Sequence, residues 1–567
     1  MKKLNSICSD CRSFFKQTEI IYTIGLLLIL VAAGCLHQQR VQKMSFLHTQ
    51  GQDIVDEQGN KVYLKGVGLG NWLLPEGYMW KFGSGGDRPR KIEKIVNDLI
   101  GEEQAAIFWK GFRQNYITKE DIQKMSELGF NSVRVALNAR LFMTEDSTRQ
   151  FIDEGFQHLD NLINWCKEYQ LYVIIDMHGA PGGQTGANID DSPNDLPELF
   201  MDVTHQDALV KLWVRIAQLY KDEPAVAAYD LLNEPLPQNT GAADKYRHLV
   251  EPLYERLITE IRKVDKKHMF TLEGVNWAND WEIFTKKPDN NLFLQFHYYC
   301  WSWPTNLHSI DYYLKKRDQW NVPIWVGETG EKDNTIYWGT TQYFEEKNVG
   351  WAFWPWKKMD TRNTPYSIVK PANWDAIAEY SHNGIRPEKE VAEKILNDLL
   401  TNIKLVNCEY QKEVVASIFR QVPGKIEAEN YGHGAYGKDY FVRDTTSKAA
   451  VYRTWGYVPI ELIETDSITQ QKRNGTEQCI ALNREEWSRY SFYCLTDAEM
   501  QLRVKLFASE VPANIQLMCG EHEFEETLTK TGWDTLTVSG LLLNEGQNSM
   551  TIKSMDASVK VDWILIE

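Results

Sequence analysis

Short apolar runs of four to eight residues alternate with longer amphipathic stretches between about residues 61 and 380. Several of the runs are almost continuously apolar, which is typical of strands buried on both faces of a parallel sheet. The predicted strands are Val62–Leu69, Ser132–Leu137, Leu171–Met177, Ala225–Leu232, Met269–Leu272, Leu292–His297, Pro323–Val326 and Gly350–Phe353. Eight strands with helical connections over this length predict an α/β fold, a (β/α)8 TIM barrel with insertions. A doubly wound open sheet is the rival fold, but the chain lacks the glycine-rich phosphate-binding turn that would favour it.

Two stretches of the barrel region have recognisable helix signals. Lys119–Leu128 follows Thr118, and Asp121 stands three residues after that threonine, which is the pattern of an N-terminal capping box. The segment Glu76–Phe112 follows the first predicted strand and is long for a loop, and within it Lys91–Phe112 is predicted to be a helix. Insertions at this face of a barrel usually shape the substrate cleft, so we expect the segment to contribute to binding.

The pattern changes after residue 400 to short alternating strands separated by turn residues. The strands predicted there are Leu502–Phe507, Asn514–Met518, Thr535–Val538, Met550–Ile552 and Val559–Ile566. Their spacing predicts an all-β sandwich of about 150 residues. We therefore divide the chain into a barrel domain at residues 45–405, which ends with a predicted helix at Lys389–Leu405, and a sandwich domain at residues 413–567.

The first 35 residues have the features of an export signal. Four basic residues precede an uncharged apolar run at Ile20–Gly34, which is short for a transmembrane helix. Small residues stand just before Cys35, as at a bacterial lipoprotein cleavage site, so we predict a signal peptide of the lipoprotein type and membrane attachment through lipidated Cys35. A plain signal peptide or an uncleaved anchor is the alternative. The mature chain is thus expected at the outer surface or in the periplasm of a bacterium, or otherwise secreted.

Charge and composition narrow the classes of partner. The formal net charge of −16 argues against a basic surface that binds nucleic acid. Aromatic residues make up 12% of the chain, and flat rings stack on the apolar faces of sugars, although large aromatic cores explain part of this excess. The nine cysteines form no recognisable framework; one disulfide among Cys479, Cys494 and Cys519 is allowed, and its partners are open.

Polar and aromatic residues gather where the predicted barrel strands end. Barrel enzymes carry their catalytic groups at the C-terminal ends of the strands. In chain order these positions hold Arg134, His178, Asn233, Glu234, His297, Tyr299, Glu328 and Trp354. Because the strand interiors stay apolar, this accumulation on one rim predicts an active site there.

Glu234 and Glu328 match the requirement of glycosidic bond cleavage for two carboxyl groups. One group must protonate the leaving oxygen, and the other must attack the anomeric carbon or activate water. Strands four and seven lie roughly opposite each other in a small barrel, so the two side chains can face each other across a cleft. Burial and the negative charge of Glu328 are expected to raise the pKa of Glu234, as a general acid requires. Arg134 and Tyr299 are expected to bind Glu328.

The remaining rim residues have expected binding roles and structural alternatives. Asn233 is expected to bond the sugar 2-hydroxyl, and Trp354 is expected to form the floor of a subsite. His178 and His297 are expected to orient the carboxylates or the sugar. A structural histidine is the alternative for His178, and a buried ion-pair partner is the alternative for Arg134.

Three residues near the rim stay open between two roles, and a fourth is expected to be structural. Trp301 and Trp303 fit either the core or a sugar platform. Glu273, which closes the fifth predicted strand, fits either substrate binding or a salt bridge. Asp176 lies one layer deeper than His178 on the same strand face and is expected to be structural.

These residues also carry a resemblance to a known family. The motifs Asn233-Glu234-Pro235, Gly327-Glu328-Thr329 and His297-Tyr-Tyr299, together with Arg134, resemble the signature of glycoside hydrolase family 5, the cellulase-like retaining hydrolases. The stretches Asp176–Gln184 and Gly66–Trp72 are similar to its exo-β-1,3-glucanase and related branches. The resemblance covers roughly residues 50–385, and Ala136 departs from it where the family often has proline, which affects a loop entry and not the mechanism.

The resemblance implies a retaining mechanism through a covalent glycosyl-enzyme, with Glu234 as acid/base and Glu328 as nucleophile. It implies that the two carboxyl groups lie about 5–5.5 Å apart. It also implies that catalysis needs no cofactor and that the partner is a polysaccharide or oligosaccharide substrate.

The C-terminal segment resembles a carbohydrate-binding module of the family 6 type. The resemblance lies in Lys425–Tyr431, Glu486–Tyr490 and Val561–Ile564. It implies a structural calcium ion held by Glu427, Glu429 and Asp562, in keeping with the preference of calcium for oxygen ligands. Sugar binding would use exposed rings, for which Trp455, Tyr457 and Trp533 are candidates with a core role as the alternative. The module can also serve only as a brace for the barrel.

Three functions remain open from the sequence. The first is hydrolysis of a β-linked glucan, endo or exo, by an exported enzyme. The second keeps the chemistry but acts on β-mannan, xyloglucan or a glucosyl conjugate, a choice that loops such as Glu76–Phe112 and Ala187–Met201 decide. The third is a surface lipoprotein that binds glycans without turnover, which the intact carboxylate pair argues against.

Overall fold

The computed structural model describes residues 44–238, 241–300, 307–446, 452–463 and 478–567. The predicted signal peptide with Cys35, and the aromatic residues Trp301 and Trp303, lie outside these ranges. Within the ranges, no helix combines the length and the apolar character needed to cross a membrane.

Eight parallel strands close into a barrel, which confirms the predicted (β/α)8 fold. A short antiparallel hairpin, β1 (His48–Gln50) and β2 (Asp53–Val55), precedes them. The barrel strands are β3 (Lys65–Gly68), β4 (Ser132–Asn138), β5 (Tyr172–Gly179), β6 (Val226–Asp230), β7 (Met269–Glu273), β8 (Leu292–Tyr298), β9 (Ile324–Gly330) and β10 (Gly350–Trp354). Each strand pairs in parallel with the next, and β10 closes the ring by pairing with β3. All eight predicted strands are present, although the first is shorter at both ends than predicted.

Helices connect and cover these strands. They are α1 (Pro89–Ile100), α2 (Glu102–Tyr116), α3 (Lys119–Glu127), α4 (Asp153–Glu168), α5 (Val203–Tyr220), α6 (Ala242–Tyr246), α7 (Val250–Ile261), α8 (Asp311–Trp320), α9 (Asn334–Glu346), α10 (Trp374–Ser381) and α11 (Lys389–Asn402). Short 3-10 helices lie at Gly77–Trp80, Ser84–Gly86, Ala139–Leu141, Glu198–Phe200, Arg247–Leu249, Trp281–Ile283, Leu405–Asn407 and Ala428–Asn430.

Two helix predictions have different outcomes. The capping box of α3 is present, because the Asp121 carboxylate accepts hydrogen bonds from the N–H and the hydroxyl of Thr118, both at 2.9 Å. The single helix predicted at Lys91–Phe112 is wrong, because the segment forms two helices, α1 and α2. Gly101 separates them with φ of +83° and ψ of 156°, a conformation outside the helical region that glycine adopts without steric strain.

Apolar side chains fill the N-terminal end of the barrel. Leu64, Ile174, Met269 and Trp325 belong to a buried cluster near the starts of their strands. Ile54 of the β1–β2 hairpin is part of the same cluster, so the hairpin packs on this end. The opposite, C-terminal rim is therefore left for polar groups, as in other barrels of this class.

The β-rich part of the chain begins after β10, the last strand of the barrel. A three-stranded sheet consists of β11 (Lys357–Met359), β12 (Tyr366–Ile368) and β13 (Glu409–Tyr410), and helix α12 (Lys412–Phe419) follows it. The remaining strands are β14 (Gln421–Val422), β15 (Gly424–Glu427), β16 (Tyr440–Phe441), β17 (Ile460–Leu462), β18 (Gln478–Leu482), β19 (Trp487–Cys494), β20 (Ala498–Ala508), β21 (Ala513–Cys519), β22 (His522–Leu528), β23 (Gly532–Leu543), β24 (Gly546–Ser554) and β25 (Val559–Ile566).

These later strands form two sheets of six strands each, consistent with the predicted all-β sandwich. One has the order β14-β19-β24-β21-β22 with β16 beside β19, and the other has the order β17-β18-β25-β20-β23 with β15 beside β25. Alternate residues of β19, β21 and β25 are buried, so each sheet has an apolar inner face. Cys479, Cys494 and Cys519 are buried free thiols, so the allowed disulfide is absent.

Helix α9 connects the sandwich to the barrel. Nine consecutive residues of this helix, Ile336–Phe344, are buried. Toward the sandwich, the ring of Tyr343 stacks on Trp455 with centroids 5.4 Å apart. Arg420, which follows α12, donates a hydrogen bond to Glu345 at 2.6 Å. Contacts of the C-terminal part therefore reach the helix that directly follows β9.

The same helix also packs on the barrel strands. The ring of Tyr337 meets Phe353 of β10 edge-on with centroids 4.9 Å apart, and Phe344 meets Tyr298 of β8 edge-on at 5.1 Å. Helix α9 thus has one face on the barrel and another on the sandwich.

Candidate active site

A cleft of about 670 Å3 opens at the C-terminal rim of the barrel. Its volume lies within the usual range of ligand-binding pockets. Six of the eight predicted rim residues line it, namely His178, Glu234, His297, Tyr299, Glu328 and Trp354. The other two, Arg134 and Asn233, are fully buried beside it, where Arg134 Nη2 donates a hydrogen bond to Asn233 Oδ1 at 2.8 Å. The structure therefore brings all eight residues together.

Glu328 projects from β9 and is held by two hydrogen-bond donors. Arg134 Nη1 donates to its Oε1 at 2.7 Å, and the Tyr299 hydroxyl donates to its Oε2 at 2.8 Å. Burial, aided by the charge of Glu328, raises the pKa of Tyr299 well above its usual range, so the phenol stays protonated and remains a donor. Each oxygen of Glu328 thus accepts one hydrogen bond that fixes its position, and the guanidinium supplies a positive charge beside the carboxylate.

Glu234 lies just after β6 in a strained backbone conformation. Its φ of +43° is in the left-handed region, which residues other than glycine occupy only where the surrounding structure enforces it. His297 Nδ1 lies 2.6 Å from its Oε1, and a carboxylate oxygen of Glu234 lies within 4.8 Å of one of Glu328. Burial raises the pKa of Glu234, with Glu328 and Glu273 adding to the rise against the opposing effect of His297. A raised pKa is what a general acid requires.

His297 is surrounded by carboxylates. Burial alone would lower the pKa of its imidazole, but Glu328, Glu273 and Glu234 together raise that pKa well above its usual range. His297 Nε2 lies 3.4 Å from a Glu273 oxygen, and its Nδ1 lies 3.4 Å from Glu328 Oε2. The ring is therefore an imidazolium at neutral pH and can donate to Glu234.

Arg134 connects the two halves of the site below the cleft. Its Nε donates to Asp230 at 2.8 Å, and its Nη2 donates to Glu273 at 3.0 Å. Burial disfavours the charged guanidinium, but the surrounding carboxylates raise its pKa well above the usual range. Arg134 is both a buried ion-pair partner and a ligand of Glu328, so the two interpretations of the sequence are not exclusive.

Trp354 forms a wall of the cleft and is packed from several sides. Its ring stacks on His178 with centroids 5.3 Å apart and an interplanar angle of 6°. Gly68 and Gly70 make room for the ring, since a Cβ at Gly68 would lie 2.2 Å from Trp354 Cε3. The Tyr78 hydroxyl accepts a hydrogen bond from Trp354 Nε1 at 3.1 Å. Burial lowers the pKa of His178 to about 4, so its ring is neutral at neutral pH.

The loop that carries Glu234 is anchored from β5. Gln184 Nε2 donates to the carbonyl oxygens of His178 at 2.6 Å and Asn233 at 3.0 Å. Asp176 Oδ2 lies 2.7 Å from His178 Nδ1, and Asp176 is fully buried away from the cleft. Within the stretch from Asp176 to Gln184, His178 thus lines the cleft, whereas Asp176 and Gln184 support the rim from behind.

Sequence reasoning missed several residues that line the cleft. They are Glu76, Tyr78, Asn188, Ile189, Trp277, Asn279, Tyr298, His308, Ser309, Tyr313 and Glu331. The first four belong to the two segments, Glu76–Phe112 and Ala187–Met201, that the sequence marked as cleft determinants. Trp277 belongs to a run of three left-handed residues, Asn276–Ala278, with φ between 58° and 66°. No sequence pattern predicts such a run, because non-glycine residues visit this region singly.

Glu76 is an unusual cleft residue. It is 3% exposed, and its Oε1 has no hydrogen-bond partner within the described ranges. Burial, followed by the charge of Glu328, raises its pKa well above the usual range. A neutral carboxyl group at this position can donate a hydrogen bond as well as accept one.

The three candidate calcium ligands lie near one another in the sandwich. Burial raises the pKa of Glu429 well above its usual range, and the charges of Glu427 and Asp562 raise it further. Lys425 pairs with Glu427 at 2.7 Å, and Lys505 pairs with Asp562 at 2.7 Å. Oε2 of Glu429 is buried and has no hydrogen-bond partner in the part of the chain that the structure describes. Among the described residues, the groups whose ligand atoms lie within 4.8 Å of one another are Glu234, His297 and Glu328 of the cleft, so the three sandwich carboxylates do not converge as a metal-binding set in this structure.

The aromatic candidates of the sandwich have different surroundings. Trp455 is 36% exposed and stacks on Tyr343 of α9, so one of its faces belongs to the junction with the barrel. Tyr457 packs edge-on against Tyr436. Trp533 is 38% exposed and lies on β23 rather than on a loop. The Trp533 ring packs edge-on against Phe507 with centroids 5.4 Å apart, and Lys505 Nζ lies 5.1 Å from its centre.

Comparison with known proteins shows which proteins the barrel is similar to. Residues 99–360 match the family model described as Cellulase (glycosyl hydrolase family 5). A β-xylosidase of Phanerodontia chrysosporium is 27% identical over 367 residues, which cover 58% of this chain and 75% of that protein. A probable glucan 1,3-β-glucosidase A of Emericella nidulans is 26% identical over 300 residues, which cover 51% of this chain and 71% of that protein.

The crystal structure of endogalactoceramidase is 15% identical to this chain, with a TM-score of 0.45 and coverage of 92% of this chain and 100% of that one. The family model spans β4 to β10 and includes every predicted rim residue. Residues 99–360 are therefore similar to the cellulase-like domain of glycosyl hydrolase family 5, and the homologues of this chain are glycoside hydrolases.

Proposed function

We propose that the protein is a retaining β-glycoside hydrolase in which Glu234 is the acid/base and Glu328 is the nucleophile. The observation that carries the proposal is a pair of carboxyl groups that approach within 4.8 Å in different surroundings. Glu234 has a raised pKa, whereas Glu328 is bound by a guanidinium and a phenol. The approach is close to the roughly 5–5.5 Å of retaining enzymes and shorter than the roughly 6.5–9.5 Å of inverting ones.

The first chemical step forms the glycosyl-enzyme. A Glu328 oxygen attacks the anomeric carbon while Glu234 transfers its proton to the glycosidic oxygen. The bond from the anomeric carbon to the leaving group breaks, the ester bond to Glu328 forms, and the aglycone leaves as an alcohol. Arg134 and Tyr299 keep the attacking carboxylate pointed at the cleft throughout this step.

The second step returns the enzyme to its starting state. Glu234, now a carboxylate, takes a proton from a water molecule, and the water oxygen attacks the anomeric carbon. The ester bond to Glu328 breaks, and the sugar leaves with its original anomeric configuration because two inversions have occurred. No cofactor is needed for either step.

The proposed substrate is a β-linked glucan or a related polysaccharide. The rings of Trp354, Trp277 and Tyr313 offer faces on which pyranose rings stack. Glu76 offers a neutral carboxyl group to a sugar hydroxyl. The names of the relatives, a β-xylosidase and a glucan 1,3-β-glucosidase, support a β-glycoside. β-Mannan and xyloglucan are alternatives that a polysaccharide panel separates. A glucosyl conjugate is a third alternative, which absence of release from every polymer would favour.

The test is reducing-sugar release from β-1,3-, β-1,4- and β-1,6-glucans, xyloglucan and mannan. Glu328→Gln and Glu234→Ala should each abolish release, and Glu127→Gln, a change at an exposed residue of α3 far from the cleft, is the matched control. Azide should restore turnover of an activated aryl glycoside by Glu234→Ala with retained configuration, because it replaces the water that Glu234 activates. Release that survives in Glu328→Gln would refute the assignment, and binding without release would favour a glycan-binding role.

Export and the C-terminal module complete the proposal. We propose that Cys35 is lipidated, which metabolic labelling with palmitate should detect in the wild-type protein and not in Cys35→Ala. We also propose that the sandwich binds glycan and that Glu427, Glu429 and Asp562 hold a structural calcium ion. Calcium should then raise the melting temperature, EGTA should lower it, and Glu429→Gln should remove the response; no response in the wild-type protein would refute the calcium site.

A further inference from the structure

Glu273 ends β7 and lies behind the catalytic residues. It is fully buried and does not line the cleft. Its Oε2 accepts the backbone N–H of Glu234 at 2.6 Å, and its Oε1 accepts a hydrogen bond from Arg134 Nη2 at 3.0 Å. Oε1 also lies 3.4 Å from His297 Nε2. One carboxylate thus contacts three groups that surround the reacting pair.

The contact with the Glu234 backbone matters because that backbone is strained. A left-handed φ of +43° is unfavourable for a residue with a Cβ, so the surrounding structure must hold it in place. A hydrogen bond from an N–H to an ionised, buried carboxylate is among the strong hydrogen bonds of proteins. Against the effect of burial, His297 and Arg134 lower the pKa of Glu273 below its usual range, so the acceptor is charged.

The contact with His297 bears on the side chain of Glu234. His297 Nδ1 lies 2.6 Å from Glu234 Oε1, and Glu273 lies at the opposite nitrogen of the same ring. A buried imidazolium needs counter-charges to stay protonated. Glu273 supplies one of them from the side that faces away from the cleft, which leaves Nδ1–H directed at Glu234.

We propose that Glu273 is a positioning residue for the general acid. It holds the backbone of Glu234 and the imidazolium that aims the Glu234 carboxyl group, and it touches neither the sugar nor the leaving group. The inference rests on the proposed function, in which Glu234 protonates the leaving oxygen. If Glu273 is replaced, Arg134 should still bind Glu328, because Asp230 also holds the guanidinium in place. Loss of Glu273 therefore affects acid catalysis more than nucleophilic attack.

Two variants and two substrates test this inference. Glu273→Leu removes both the charge and the acceptor, whereas Glu273→Gln keeps an amide oxygen that can accept the Glu234 N–H. The substrates share one sugar: phenyl β-D-glucoside needs a proton on its leaving oxygen, and 2,4-dinitrophenyl β-D-glucoside does not. Glu273→Leu should lower kcat/KM by about 100-fold for the phenyl glucoside and by about threefold for the dinitrophenyl glucoside. Glu273→Gln should recover part of the larger loss.

Asp230→Asn is the matched control, since Asp230 is another buried carboxylate on Arg134 that makes no contact with Glu234. Its losses should be similar for the two glucosides. Equal losses for both substrates in Glu273→Leu would overturn the inference, because a residue that only stabilises the fold does not distinguish leaving groups. If the wild-type protein cleaves neither glucoside, a crystal structure of Glu273→Leu tests the inference alone. The proposed function fails only if the wild-type protein also releases no sugar from any of the polysaccharides. A Glu234 carboxyl group displaced from His297 would support it, and an unchanged contact of 2.6 Å would overturn it.

Discussion

Replacement of Gly68 by alanine should damage the cleft without touching a catalytic carboxyl group. A Cβ at this position would lie 2.2 Å from Cε3 and 2.8 Å from Cζ3 of Trp354. The ring would have to move by about 1.2 Å to reach an ordinary contact of 3.4 Å. It cannot move freely, because His178 stacks on it and Tyr78 binds its Nε1.

The magnitude follows from the size of this displacement. Overpacking of a tight site typically costs about 1–3 kcal/mol of folding free energy. A misplacement of about 1 Å at a substrate-positioning group can lower the rate by roughly 100-fold. We therefore expect Gly68→Ala to lower kcat/KM for the best polysaccharide substrate by about 10- to 100-fold. Urea unfolding followed by circular dichroism should show the stability loss, and reducing-sugar release should show the kinetic loss.

Gly66→Ala is the matched control on the same strand. A Cβ there would lie 2.8 Å from Ser132 Oγ and 3.3 Å from Ala352, in the barrel wall and away from Trp354. It should lower stability by a comparable amount while kcat/KM changes little in the folded protein. If Gly68→Ala folds and keeps wild-type kcat/KM, the rigid placement of Trp354 does not matter for activity, and the reasoning is refuted.

Three further predictions concern charge and protonation. Burial raises the pKa of Glu76 and so favours its neutral carboxyl group, which an amide imitates. Glu76→Gln should therefore keep most of kcat/KM at neutral pH, whereas Glu76→Leu should not. Equal losses of kcat/KM in the two variants would contradict this. Burial lowers the pKa of His178 from 6.5 to about 4. The neutral ring therefore contributes fully to the free energy of unfolding above pH 6.5, and about 3 kcal/mol of that free energy is lost as the pH falls toward 4. Urea unfolding across this range should show a flatter slope for His178→Gln, and an identical slope would count against the buried neutral ring. Arg420→Met should lower the free energy of unfolding by about 2–3 kcal/mol, because Lys65 is then the one charged partner left to Glu345 among the described residues. No change in thermal or urea unfolding would mean that the bridge contributes nothing.

Much of the barrel was predictable because its strands are uniform. Each parallel strand is buried on both sides and therefore appears as a nearly continuous apolar run, and the rim residues follow directly from where each run ends. The break between α1 and α2 was not predictable with the same certainty, because Gly101 is tolerated inside many helices and only tertiary packing selects its extended ψ. The hydrophobic periodicity continues on both sides of it.

The rest of the site depends on contacts between distant segments. Glu273 was visible at the end of a strand, but its two possible roles could be distinguished only by distances to Glu234 and Arg134, which lie 39 and 139 residues away in the chain. Glu76 gave no signal beyond its place in a long insertion, because its burial arises from packing against the rim. Trp277 depends on backbone angles that its neighbours in sequence do not encode.

Helix α9 changes how the C-terminal part should be regarded in evolution and engineering. Many accessory modules are joined to their enzymes by flexible linkers and can be exchanged between proteins. Here the helix begins four residues after β9, the strand that carries Glu328, and its far side is clad by Tyr452, Trp455 and Arg420. Deletion of the sandwich would expose aromatic surface on the helix that follows the Glu328 strand, so we expect the barrel and the sandwich to be exchangeable between proteins only together.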